Sequence, residues 1–320
     1  MLQYILLVAG FVLLIGGAEY LVRGASSIAR LLNVSDLIIG LTVVSLGTSA
    51  PELVVNIMAS VSGSSGMAIG NVIGSNIFNF FVIIGLTALV APIKLKNSLI
   101  KIEIPFAIVA SFALIFVAGD SLFDGNPGMI DRGDGLTLLL FFSIFLYYIY
   151  LSAKKKEIPE QDVVDEQTKS YPVWLSLVML AGGIAALMFG GELIVGSATE
   201  IAIKWGMSET VIGLTIVAVG TSLPELATSA VAAFRGNSDI AIGNVVGSNI
   251  FNIFLILGIS SVILPLPFDP QSMHDAYIAA LGTAMVLIFG LTGKKRLIDR
   301  KEGAILIITY VGYIVYLFYR

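Results

Sequence analysis

The chain has no cysteine and a single histidine, and only 12% of its residues are charged. Without cysteine there is no disulfide framework, no thiolate metal site and no cysteine nucleophile. A serine–histidine hydrolase would need the one histidine, His274, beside a serine inside an apolar run, and an aspartyl dyad would need two buried aspartates. Neither arrangement is visible, and His274 reads as a solvated residue at a span boundary. No enzyme activity and no cofactor are expected, and nucleic acid is not an expected partner. Soluble domains carry about 25% charged residues, twice the share found here. With 57% hydrophobic residues and a mean hydropathy of +0.95, the composition is that of a membrane protein with the bilayer as its partner.

Apolar runs long enough to cross a bilayer need about 18 residues. Ten such runs are read, over 2–22, 36–60, 68–92, 99–119, 135–152, 173–196, 210–233, 240–266, 273–293 and 303–319. The expected fold is an all-α polytopic membrane protein of ten transmembrane helices. The opening "MLQYILLVAG" has no basic n-region and no small-residue cleavage site, so it reads as a retained span. With the N-terminus outside, 15 of the 18 Lys and Arg residues fall in cytoplasmic loops, leaving Arg132, Lys204 and Arg320 outside. That asymmetry obeys the positive-inside rule and places both termini outside the cell membrane.

The sequence repeats itself at an offset of 173. "SDLIIGLTVVSLGTSAPELV" (35–54) and "SETVIGLTIVAVGTSLPELA" (208–227) share 12 of 20 residues; "AIGNVIGSNIFNFFVIIGL" (68–86) and "AIGNVVGSNIFNIFLILGI" (241–259) share 14 of 19. Glu19 and Glu192 align at the same offset, near the ends of their expected spans. Five spans per copy is an odd number, so the second copy enters the bilayer from the opposite face. The domains are a first repeat (1–152), a polar cytoplasmic linker (153–172) and an inverted second repeat (173–320). Inverted repeats are the architecture of secondary transporters, with the substrate held at the midplane between copies.

A proline and a glutamate inside each first motif need a reason. Proline cannot donate to the carbonyl four residues back, so Pro51 is expected to open Gly47 and Pro224 to open Gly220. Such carbonyls are tolerated at membrane depth only inside protein or beside a watery cavity. Thr48 and Glu52 are four apart and share a helix face with the opened carbonyl, as do Ser75 and Asn79 on the following helix. Their mates are Thr221, Glu225, Ser248 and Asn252. A carboxylate at the bilayer centre costs several kcal/mol, which a purely structural motif would not repeat. All these ligand atoms are oxygen, which suits Ca²⁺ or Na⁺ and argues against zinc or copper; Mg²⁺ sheds its water too reluctantly. Arg132-Gly133-Asp134, an adhesion-like tripeptide, is assigned nothing.

"GTSAPE" and "GTSLPE", each followed by "GNVIGSNIFN" or "GNVVGSNIFN", resemble the two alpha-repeats of the Ca²⁺/cation antiporter superfamily, most nearly the prokaryotic sodium/calcium exchangers. The resemblance spans both repeats. It implies spans one and six sliding across the other eight, and Ca²⁺ export against entering Na⁺, three Na⁺ per Ca²⁺. By motif it implies Glu52 and Glu225 as Ca²⁺ ligands shared with Na⁺, with oxygens from Thr48 and Thr221. Ser49, Ser222, Ser75 and Ser248 would serve flanking Na⁺ sites, the backbone carbonyls of Ser45 and Ala218 would add ligands, and Asn79 and Asn252 would lie at the centre. Several members carry aspartate where this chain has Asn252, which weakens K⁺ co-transport here; the proton-coupled branch has glutamate where this chain reads "GSN". A Ca²⁺/H⁺ antiporter is the alternative, and a cation channel a further rival.

Overall fold

The computed structural model describes residues 2–119, 128–154, 171–206, 218–293 and 296–319. Its helices are α1 (Leu2–Leu32), α2 (Asp36–Thr48), α3 (Ala50–Val61), α4 (Ser65–Val90), α5 (Leu99–Val117), α6 (Arg132–Lys154) and α7 (Val173–Lys204). After a helical turn at Ala218–Gly220 come α8 (Leu223–Phe234), α9 (Ser238–Ile263), α10 (Pro270–Thr292) and α11 (Arg300–Tyr319). Four two-residue strands complete the order: β1 (Ile93–Lys94), β2 (Met129–Ile130), β3 (Leu266–Pro267) and β4 (Leu297–Ile298).

Among the described residues, seven helices (α1, α4, α5, α6, α7, α9 and α10) are long and apolar enough to span a membrane. The pair α2–α3, bent by 47°, makes an eighth. The expectation was ten. The run over 210–233 is described only from Ala218, which leaves the short α8, and α11 covers 303–319 without being one of the seven. Of the linker over 153–172, residues 155–170 lie outside the described residues. α1 runs ten residues past the expected 22, because a hydropathy reading stops at Arg23 while the helix does not. Gly24, Ala25, Ser26, Ser27 and Ala29 in its last turns are buried against protein rather than lipid.

α4 and α9 form the centre: 83% and 78% of their apolar windows are buried, against 17% for the peripheral α6. Ile77, Phe80, Phe81 and Ile83 of α4 meet Val246, Ile250, Ile253 and Phe254 of α9 in one continuous core. α5, α6, α10 and α11 pack around that pair, while α1 and α7 build a second core with Leu14, Leu21, Leu180 and Leu187. The outward faces of α1, α6 and α7 carry exposed Val8, Val12, Leu140, Tyr147 and Phe189, as lipid-facing surfaces should. β1 pairs antiparallel with β4 and β2 with β3. β1 and β3 follow α4 and α9 at the repeat offset, Ile93 to Leu266, so each bridge ties one half of the chain to the other.

α1 and α7 lie antiparallel along a seam of small residues. Gly17 faces Gly183 and Gly10 faces Gly190; a Cβ on Gly183 would stand 2.7 Å from the Leu21 nitrogen and 2.8 Å from the Gly17 oxygen. Those neighbours are backbone and cannot swing aside, which is the small-residue route to close helix packing in lipid. Gly182, one residue away, has open space where its Cβ would go. We therefore expect Gly183→Ala to lower the thermal midpoint of the detergent-purified protein, by a cost of about 1–3 kcal/mol for overpacking. Gly182→Ala should hold or raise the midpoint, since alanine favours helix by about 0.5–1 kcal/mol. Equal shifts from the two variants would contradict the seam.

Candidate cation site

Both Gly-Thr-Ser motifs end a helix rather than kink one. α2 stops at Thr48, Ser49 leaves helical geometry (φ −84°, ψ 6°), and α3 restarts at Ala50 with Pro51 in its first turn. Ser222 (φ −90°, ψ 4°) and Pro224 repeat this at the start of α8. The expected single kinked helix is thus corrected to two helices, and the carbonyls of Gly47 and Gly220 fall among the last residues before each break, where helix carbonyls have no intrahelical donor. Proline in a first turn forfeits no hydrogen bond and helps a new helix begin. The break puts Glu52 and Glu225 in first turns, where the aligned amides favour negative charge. Ser45, whose carbonyl was expected to be a ligand, accepts from Ser49 N at 2.9 Å and lies 3.3 Å from Thr48 Oγ1. Ala218 lies in the helical turn before the second break.

The two carboxylates are each 1% exposed and within Coulombic reach of one another. Hydroxyls from both repeats stand around them. Ser49 Oγ donates to Glu225 Oε1 at 2.9 Å and lies 2.9 Å from Ser248 Oγ. Thr48 and Ser248 also reach Glu225, and Thr221 reaches Glu52. Ser222 Oγ donates to Ser75 Oγ at 3.2 Å. The structure therefore brings together Thr48, Ser49, Glu52, Ser75, Thr221, Ser222, Glu225 and Ser248. Asn79 and Asn252 are buried at the start of π-helical turns, Asn79–Ile83 and Phe251–Leu257. Wide turns of this kind gather at functional sites.

Four asparagines at the repeat offset join the site without having been singled out in the sequence. Thr48 Oγ1 donates to Asn244 Oδ1 at 3.0 Å, and Thr221 Oγ1 to Asn71 Oδ1 at 3.3 Å. Asn252 Nδ2 donates to Asn76 Oδ1 at 2.9 Å, and Asn76 Nδ2 to the Asn249 carbonyl at 3.4 Å. The signal was present: all four are polar residues repeated inside otherwise apolar helices. Among the described residues, Glu52 Oε2, Glu225 Oε2, Asn79 Oδ1 and Asn252 Oδ1 are buried acceptors with no donor. Buried acceptors of this kind cost free energy unless something positive meets them. An all-oxygen cluster with two carboxylates fits a hard cation.

The other residues noted in the sequence lie elsewhere. Glu19, well inside α1 rather than near its end, pairs with Arg23 and with Arg235 at the end of α8. Glu192, its mate, is exposed and lines a cavity of about 450 Å³ with Gln3, Phe189 and Glu200. His274 Nδ1 is 3.4 Å from Tyr316 Oη. Arg132-Gly133-Asp134 opens α6, where Asp131 and Asp134 cap one another's backbone N–H groups at 2.9 Å.

Helices broken at paired carboxylates, buried in a membrane bundle, define the class as a cation transporter, and comparison with known proteins agrees. A family model described as "Sodium/calcium exchanger protein" matches residues 2–151 and 175–319. The chain belongs to that family, whose members are exchangers rather than enzymes. It is 35% identical to the sodium/calcium exchanger MaX1 of Methanosarcina acetivorans over 99% of each chain. It is 36% identical to the inner membrane protein YrbG of Escherichia coli, over 99% of this chain and 96% of that one. The solved structure of the sodium-calcium exchanger NCX_Mj soaked with Na⁺ and Sr²⁺ superposes with a TM-score of 0.83 at 32% identity, over 98% of both chains. The protein is a multi-pass membrane antiporter of the Ca²⁺/cation superfamily.

The cross-repeat bonds give a specific expectation. Thr48→Val and Asn244→Leu should be non-additive in thermal stability, with a coupling of about 0.5–1.5 kcal/mol from their shared hydrogen bond. Thr48→Val with Asn71→Leu should be additive, because Asn71 serves Thr221. Equal coupling in both pairs would contradict the geometry.

Proposed function

We propose that this chain exchanges Ca²⁺ for Na⁺ across the cell membrane by alternating access. In this reading ten transmembrane helices form two inverted five-helix repeats, 1–152 and 173–320, joined by a cytoplasmic linker over 153–172, with both termini outside. Ca²⁺ and Na⁺ compete for Glu52 and Glu225 at the midplane, assisted by Thr48 and Thr221. Ser49, Ser222, Ser75 and Ser248 serve flanking Na⁺, Asn79 and Asn252 present amide oxygens at the centre, and the carbonyls of Ser45 and Ala218 complete the set. One observation carries the reading: two buried carboxylates, related by the repeat, each keep an oxygen that no donor meets.

The antiparallel α1–α7 pair is the moving element. Its seam of backbone against backbone offers a smooth track, and its two ends differ. Glu19 is tied to Arg235, whereas Glu192 faces a cavity. With the termini outside, the tied end is cytoplasmic in this reading. Alternation requires the Glu19–Arg235 pair to part in the other state.

The test is ⁴⁵Ca²⁺ uptake into proteoliposomes driven by an outward Na⁺ gradient, compared with an outward H⁺ gradient at clamped membrane potential. Na⁺-driven uptake supports the reading; uptake driven by H⁺ alone assigns Ca²⁺/H⁺ antiport, and Ca²⁺ flux with no counter-ion assigns a channel. Glu52→Gln and Glu225→Gln should each abolish uptake while the protein still elutes as a folded species, since glutamine keeps the volume and removes the charge. Near wild-type rates in either variant would overturn the site.

Charge balance yields a second expectation. Two carboxylates offset one Ca²⁺ or two Na⁺, and Asn252 supplies no third. With three Na⁺ per Ca²⁺, the Na⁺-loaded site carries one net positive charge and exchange is electrogenic. Moving that charge is worth about 2.3 kcal/mol per 100 mV, so an inside-negative potential should speed Na⁺ entry and Ca²⁺ exit. Exchange that ignores the potential and reverses at two Na⁺ per Ca²⁺ would mean an electroneutral mechanism.

A further inference from the structure

We propose that Asn76 is a positioning residue that fixes which face of the Asn252 amide meets the transported ion. The inference rests on the reading above, that Asn252 faces the cation, and it starts from a group whose polarity is beyond doubt. The Asn249 backbone carbonyl can only accept a hydrogen bond. Asn76 Nδ2 lies 3.4 Å from it, so the amide nitrogen of Asn76 points there; the reverse rotamer would set two oxygens against each other. That choice leaves Asn76 Oδ1 facing Asn252, from which it accepts Nδ2 at 2.9 Å. Asn252 is thereby committed in turn: its N–H is spent on Asn76, and its Oδ1, buried and without a donor, is the atom turned away from Asn76. A backbone carbonyl on α9 thus dictates, through one side chain of α4, that Asn252 offers an oxygen.

The orientation matters because an amide rotated by half a turn would offer N–H to a cation and repel it. All three groups are at most 2% exposed, so water does not supply an alternative partner at their surface. The relay also breaks the repeat symmetry. Asn249 is the mate of Asn76, yet its Nδ2 is spent on the Val245 carbonyl of its own helix at 2.7 Å. The sequence is symmetric at all four asparagines, whereas Asn249 Oδ1, the mate of the Asn76 oxygen that holds Asn252, has no partner among the described residues.

The experiment measures Na⁺-driven ⁴⁵Ca²⁺ uptake in proteoliposomes and separates the half-saturating Na⁺ concentration from the maximal rate. Asn76→Ala frees the Asn252 amide to turn, so half-saturation should rise by about tenfold, the worth of one hydrogen-bonded orientation. The maximal rate should change by less than about twofold on the same argument, since the chemistry of the carboxylates is untouched. Asn76→Leu, closer in volume, repeats the measurement if Asn76→Ala does not fold. Asn76→Ser, whose hydroxyl can donate to the Asn249 carbonyl and accept from Asn252, should restore most of the affinity. In an Asn252→Leu background, Asn76→Ala should add nothing. Additive losses, a fall in maximal rate at constant half-saturation, or no rescue by serine would overturn the proposal. Asn252→Leu alone tests the reading beneath it: unchanged Ca²⁺ and Na⁺ affinities would mean Asn252 does not face the ion, and the proposal would fall with that reading, while the Glu52 and Glu225 assignments would stand on their own variants.

Discussion

Everything near the centre of this protein answers to the burial of two like-charged carboxylates at one place. Taking a single ion out of water costs several kcal/mol even after the protein relaxes, and Glu52 and Glu225 add their mutual repulsion to that cost. The chain meets it with local devices. Each glutamate occupies the first turn of a helix that begins at a serine break, so amide dipoles face the charge. Hydroxyls of the opposite repeat stand close to both, Ser49 donating to Glu225 and Thr221 lying near Glu52. What these devices leave over is one oxygen on each carboxylate that no donor among the described residues meets. On the proposed reading, a site left incomplete in this way is what lets one cation replace another.

The same demand explains the surrounding architecture. Helix breaks at membrane depth need enclosure, because their backbone groups cannot face lipid. α4 and α9 supply it, which is why they are the most buried helices and why their motif residues are small or polar. Gly47 and Gly220 open both motifs for a related reason: α7 crosses them closely, and a Cβ there would meet Ile184 at 2.6 Å and Val195 at 2.1 Å.

Much of this was legible in the sequence. The offset of 173 located both halves of the site, and the oxygen-only chemistry followed from Thr48, Glu52, Ser75 and their mates. Composition alone placed the chain in a membrane. Three things were not legible. Proline signals a disturbed helix, but whether it kinks one helix or begins another depends on the preceding residue's dihedrals, so the breaks at Ser49 and Ser222 were read as kinks in continuing helices. Hydropathy marks where lipid contact ends, not where a helix ends, so α1 was cut short at its buried tail. Asn71, Asn76, Asn244 and Asn249 were overlooked because helix-face reasoning relates residues on one helix, whereas these act across helices. The π-helical turns after Phe78 and Ile250 have no pattern in the sequence that distinguishes them from ordinary helix.

The central claim is that one cation binds between Glu52 and Glu225. Anomalous diffraction from crystals soaked in Sr²⁺, a Ca²⁺ surrogate with a measurable signal, tests it most directly. The account predicts a single strong peak between the two carboxylates, within about 2.3–2.6 Å of their oxygens for a Ca²⁺-like ion, and displaced by Na⁺. A peak elsewhere in the bundle, or none between Glu52 and Glu225 at saturating Sr²⁺, would contradict it.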